Sequence, residues 1–109
     1  MSDLAGRQCN ADAQLLDSKQ TAHYMSWLAP QWELAADGKA ISRVFSFANY
    51  YETIAFVNLV ASVAHRQDHH PELNVSYNHC RVEYSTHSAG GLTDNDCICA
   101  AKIDKMLHI

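Results

Sequence analysis

The sequence predicts an α+β fold in which a four-stranded antiparallel sheet carries helices packed on one face. Three observations predict it. Two pairs of short alternating segments read as hairpins, a long amphipathic helix lies between the pairs, and a capped helix stands at each end. The element order is therefore α-β-β-α-β-β-α. A two-layer plate of this kind leaves sheet edges and one face uncovered, which favours a homodimer or homotetramer.

Taken in order, residues 1–11 are polar and aperiodic, and are expected to be loose. Asp17 or Ser18 can cap a first helix that runs to about Leu28, with Ala22, Met25 and Leu28 at helical spacing and Pro30 as its stop. Trp32 to Ala35 reads as a short strand, and Asp37-Gly38 as a hairpin-type turn. Ala40 to Phe47 follows as a second strand, with Ile41, Phe45 and Phe47 on one face. Arg43 interrupts that face, so it sits on an edge or pairs with a partner.

Asn49 opens the central helix, and Glu52 completes a capping-box-like start. Tyr50, Ile54, Val57, Ala61 and Ala64 form its apolar stripe, widened by Phe56, Val60 and Val63. The helix is expected to end near Arg66. Leu73, Val75 and Tyr77 alternate as a third strand, Asn78-His79 supplies a tight turn, and Val82, Tyr84 and Thr86 alternate as a fourth. Gly90-Gly91 breaks the pattern. Thr93 caps a last helix with Asp96 at its third position, and Cys99, Ala100, Ile103 and Leu107 form its expected buried stripe.

At 109 residues the chain fits one domain, 1–109. Apolar residues are 48% and charged residues 18%, a globular balance rather than a disordered one. A net charge of −4 argues against nucleic acid held by charge alone. No apolar run reaches the roughly 20 residues that span a bilayer. The start lacks a basic stretch followed by an apolar one, so no signal peptide is read and a cytoplasmic location is expected. Cys9, Cys80, Cys97 and Cys99 form no C-x-x-C pair and are expected to be reduced thiols, the last two as packing residues.

Histidine is the unusual residue. Of seven, five fall between 65 and 87: His65, His69, His70, His79 and His87. Pro71 forces His70 out of helical geometry, so the chain leaves the helix at Asp68-His69-His70-Pro71-Glu72. Side chains that alternate on extended chain can line two walls of one cleft. A helix-terminal histidine also complements the helix dipole, which is the plainer reading of the same residues. The second candidate segment is Ser85-Thr86-His87, running into Ser88 and Gly90-Gly91. There, parity places His87 opposite the Val82, Tyr84 and Thr86 face. Its hydroxyls and backbone groups suit a planar polar heterocycle.

His69-His70-Pro71, then Tyr77, His87 and Asp96 at their spacings, resemble the signature of the pterin-4a-carbinolamine dehydratases. Gly91-Leu92-Thr93, Ala101-Lys102-Ile103-Asp104 and Ile41-Ser42-Arg43 with Phe45 and Phe47 are similar to that family too. The resemblance runs from about Trp32 to Asp104. It implies dehydration of 4a-hydroxytetrahydropterin to quinonoid dihydropterin, which returns the cofactor of hydroxylases such as phenylalanine hydroxylase. It implies His69, His70 and His87 as catalytic residues, and Asp68, Pro71, Ser85, Thr86 and Ser88 as pterin-site residues, with no metal and no cofactor. Trp32 either walls the pterin or anchors the first strand. His65 stands where many members carry an acidic residue, four before His69.

Two other readings compete. His65 and His69 with His87 or Cys80 would make a zinc set, although the sequence lacks the H-E-x-x-H base and has Arg66 beside the ligands. A non-catalytic dimerisation cofactor for a transcription factor, a role known in vertebrate members of the family, would use a helical surface instead. The remaining histidines, His23, His79 and His108, read as surface residues.

Overall fold

The computed structural model describes residues 4–107. His108 lies outside them, as do residues 1–3. The elements are α1 (Ser18–Met25), β1 (Glu33–Leu34), β2 (Ile41–Ser46), α2 (Tyr50–Gln67), β3 (Glu72–Val75), β4 (His79–Tyr84) and α3 (Asp94–Leu107). All strand pairs are antiparallel, in the order β1-β2-β4-β3. The two hairpins therefore join through β2 and β4, and α2 makes the connection between them. Helices α2 and α3 pack on the face formed by Ile41, Phe45, Cys80, Val82 and Tyr84, which are all buried. The expected α+β architecture is the observed one.

Local chemistry explains the boundaries. Asp17 accepts a hydrogen bond from the Gln20 amide while the Gln20 side chain accepts from the Asp17 amide, a full capping box for α1. That helix stops at Met25 rather than Leu28, and tighter turns carry the chain on. Leu28 is buried all the same, whereas Ala22 is exposed. At α2, Asn49 accepts from the Glu52 amide, and Glu52 reaches back to the amide of Ala48, one residue before the cap. The β3–β4 turn centres on Tyr77 and Asn78, with the Ser76 amide donating to the His79 carbonyl, so His79 already belongs to β4.

The α2 stripe differs from expectation. Thr53, Phe56, Val60, Val63 and Ala64 are buried, while Tyr50 and Ala61 are exposed. The helix is rotated toward Thr53, whose hydroxyl lies 2.9 Å from the Asn49 carbonyl and 3.0 Å from that of Tyr77. A satisfied threonine can take a core position that hydropathy would deny it. In α3, Leu107 is exposed and Asp104 is buried.

Residues 4–10 are not loose. Leu4 is 2% exposed, and the turn Leu4–Gly6 lies on α3. Lys102 donates to the Ala5 carbonyl at 2.8 Å, and the Cys9 amide donates to Gln67 Oε1 at 2.8 Å. Asn10 and Asn95 bond reciprocally, at 3.0 and 2.8 Å, through side chain and backbone. Polar residues without periodicity here bond across the fold, which local pattern does not reveal.

Arg43 does pair. Its Nη1 lies 2.7 Å from Asp104 Oδ1, and the Asp104 carboxylate also accepts from Trp32 Nε1 and the Ala29 amide. Trp32 is 4% exposed and meets Phe45 edge-on. It is an anchor of the core beside α3, with no ring face free for a pterin. Of the two readings of Trp32, the structure favours the anchor and corrects its assignment to the pterin site.

Candidate active site

The end of α2 positions the first histidine. Asp68 takes the left-handed conformation, φ 52°, and the chain closes the helix by two reversed bonds: the His69 amide donates to Ala64, and the Asp68 amide to His65. Aspartate tolerates this region better than most residues. The turn throws His69 off the helix axis, so His65 and His69 are not stacked as neighbours on a continuing helix. His69 Nε2 instead meets Asp96 Oδ1 at 2.5 Å, and its ring stacks on Tyr84 at 5.6 Å.

Asp96 is fully buried in the first turn of α3, a favourable place for a carboxylate. Its Oδ2 accepts from the Thr93 amide and from the Thr86 hydroxyl, each at 2.9 Å. Thr86 has one hydroxyl proton and gives it to the carboxylate. The 2.9 Å contact between Thr86 and Thr93 is therefore a donation from Thr93. Asp96 thus ties His69 to the segment that carries His87. The carboxylate raises the His69 pKa above its ordinary value of 6.5, chiefly through the hydrogen bond, against the opposing effect of burial. Asp68 and Cys9 add smaller contributions in the same direction.

The second segment leaves β4 and makes one tight turn, His87–Ala89, closed by Gly90 at φ 78°. A bridge between Thr86 and Gly91 pins both ends of that turn. His87 is therefore not on a strand, as its parity reading required; it is exposed on the turn, between Thr86 and Ser88.

A cavity of about 250 Å³ lies where these segments meet. Asp68, His69, Thr86 and Ser88 line it, together with Asn95 and the chain from Cys9 to Ala13. Four of the expected site residues are thus brought together from two distant stretches. His70 adjoins His69 and is exposed, and Pro71, half-buried, lies just before β3. Ser85 turns away, its hydroxyl donating to the Lys39 carbonyl at 2.9 Å. Asp96, Asn95 and the Cys9–Ala13 wall lay outside the expected set. Asp96 stood in the Thr-x-x-Asp cap and in the family signature, with no site role given to it; nothing local signalled the wall. Among the described residues, no three of His, Cys, Asp and Glu converge as metal ligands, so the zinc set is not assembled. No helix among them is long and apolar enough to cross a membrane.

Comparison with known proteins places this geometry. The family model described as pterin 4 alpha carbinolamine dehydratase matches residues 14–106. A Legionella pneumophila (strain Corby) protein with a provisional pterin-4-alpha-carbinolamine dehydratase name is 48% identical over 97% of this chain and 96% of its own length. One from Nitrosomonas eutropha with the same provisional name is 50% identical over 96% and 94%. A solved transcriptional coactivator/pterin dehydratase from Brucella melitensis superposes with TM-score 0.78 at 30% identity, covering 84% of this chain and 96% of that one. A pterin dehydratase-like protein identified as a RuBisCO assembly factor in the alpha-carboxysome shares the fold, with TM-score 0.61 at 19% identity over 72% and 90%. The chain belongs to the pterin-4a-carbinolamine dehydratase family.

Proposed function

We propose that this chain dehydrates 4a-hydroxytetrahydropterin to quinonoid dihydropterin and water, by histidine acid–base chemistry in the cavity beside His69. One observation carries the reading: Asp68 and His69 from the exit of α2 and Thr86 and Ser88 from the turn after β4 line one hollow. Its volume of about 250 Å³ lies just under the roughly 300–1,000 Å³ usual for drug-sized ligands, in keeping with a bicyclic ring.

The reaction breaks the C4a–O bond and removes the N5 proton. The leaving oxygen needs a proton and N5 needs an acceptor, and imidazole offers both forms near neutral pH. In this reading His70 and His87, exposed beside the cavity-lining residues, exchange those protons. His69, held by Asp96 and stacked on Tyr84, orients the site. Hydroxyls of Thr86 and Ser88 and the Asp68 carboxylate supply polar contacts for the ring. Neither redox chemistry nor a hydrolytic nucleophile is required by this balance. The product would be the pterin that aromatic amino acid hydroxylases consume after its reduction.

The test is turnover of chemically generated 4a-hydroxytetrahydropterin. His87→Ala and His70→Ala are expected to lower it by about 10²–10⁴-fold while the fold persists. Near-normal turnover in both would defeat the assignment.

A second reading has its own support. Tyr51 is 84% exposed and Tyr50 53% exposed on α2, and Tyr77 stacks on Tyr50 at 6.4 Å. These rings, with the half-buried Ile54 and Val57, form an apolar flank that would suit a homo-oligomer or a helical partner. The Brucella melitensis relative bears both a coactivator and a dehydratase title. Sedimentation would detect the homo-oligomer.

A further inference from the structure

We propose that Cys9 and Cys99 form a peroxide-responsive dithiol site that closes to a disulfide and fastens the wall of the cavity to α3. The two Sγ atoms lie 3.6 Å apart, 90 residues apart in sequence. Disulfide bonding needs about 2.05 Å, so the closing movement is roughly 1.5 Å. Cys99 is fixed in the buried face of α3. Cys9 sits between the turn Leu4–Gly6 and α1, outside any helix or strand. Two contacts aim the Cys9 thiol at the helix: its amide is held by Gln67 Oε1, and its Sγ lies 3.6 Å from the Asn95 carbonyl.

The two thiols differ in role. Cys9 lines the cavity, which gives a small oxidant access, and is half-buried; Cys99 is fully buried behind it. The Cys99 thiol donates to the Cys9 sulfur and lowers the Cys9 pKa; the charges of His69 and Lys102 act in the same direction, while burial opposes them. Of the two, Cys9 ionises the more readily, and it attacks as the thiolate. Its sulfur takes one oxygen of hydrogen peroxide as the O–O bond breaks, giving a sulfenic acid and, with one proton, water. The Cys99 thiol attacks that sulfur. The S–O bond breaks, a second water leaves, and the S–S bond forms; two thiols are oxidised and one peroxide is reduced. Cys80 and Cys97 stand apart from this chemistry. Both are buried, and burial pushes the Cys97 thiol up to about 12.

The test uses the full chain, reduced and freed of reductant, then exposed to hydrogen peroxide. The expected result is loss of two of the four free thiols, an intact mass lower by two hydrogens, and a Cys9–Cys99 linked peptide that dithiothreitol releases. Cys9→Ser is expected to abolish the linked species. Cys99→Ala, with Cys9 kept, is expected to leave a sulfenic acid on Cys9 that dimedone traps. The proposal is overturned by an unchanged mass after peroxide. It is equally overturned by a disulfide between other cysteines, or by oxidation of Cys9 to a sulfinic acid while Cys99 stays alkylatable on unfolding.

Discussion

The His69 imidazole and the Asp96 carboxylate meet at 2.5 Å, and this pair joins the exit of α2 to the start of α3. Asp96 is fully buried and the His69 side chain is 12% exposed, so water screens the pair weakly. The carboxylate is also the acceptor for Thr86, next to His87. Both histidine segments of the candidate site are registered through one buried residue.

Asp96→Asn is expected to reduce turnover by about ten- to a hundredfold, since it keeps the shape but loses the charge that favours the protonated form of His69. An NMR titration of His69 should show its pKa falling back toward 6.5, its ordinary value. An unchanged titration would mean that the pair does not set the charge of His69.

The same pair gives stability a pH dependence. The folded state raises the His69 pKa, so it binds the proton more tightly than the unfolded chain does. The stabilisation is therefore fully present below the unfolded pKa of about 6.5 and is lost as pH rises through the folded value. The stability advantage of the native chain over Asp96→Asn is expected to be larger at pH 6 than at pH 9. Urea denaturation at the two pH values measures it.

Asp104→Ala is expected to cost about 3 kcal/mol, because it strands the Arg43 guanidinium and the Trp32 indole together. Arg43→Met combined with Asp104→Leu should recover the part due to the guanidinium, since an apolar pair leaves no buried charge, while the Trp32 indole stays unpaired. Chemical denaturation of the single and double variants decides it. Turnover should follow folded fraction only, as neither residue lines the cavity.

Asp68→Gly is expected to preserve or slightly raise stability, and Asp68→Val to lower it by about 1–2 kcal/mol, because only the latter resists a left-handed φ. Both should weaken pterin binding to a similar degree if the carboxylate contacts the ring. Thermal midpoints and ligand titration separate the two effects.

Much of this was legible in the chain. Alternation at Val82 and Tyr84 and the caps at Asp17, Asn49 and Thr93 reported local geometry, and local geometry is what caps and periods encode. Pro71 marked where His70 leaves the helix. The α2 face was misplaced because apolar residues cover two neighbouring stripes, and the buried one runs through Thr53. Cys9 and Asn10 gave no sign of a cavity wall, since their partners Gln67, Asn95 and Cys99 lie far along the chain. Asp96 read as a cap and is one; its second role required His69 to arrive from another element. Asp104 stood in a motif and Trp32 opened a strand, but only the fold shows that they bond to each other.

The central claim is that the hollow beside His69 holds a pterin ring. Its most direct measurement is amide shift mapping by NMR during titration with a stable dihydropterin. The account predicts the largest saturable changes at Asp68 to His70, at Thr86 to Ser88, and at Cys9 to Ala11. Changes centred instead on the basic recess lined by Arg66, Lys102 and Lys105, with those three segments unmoved, would contradict it.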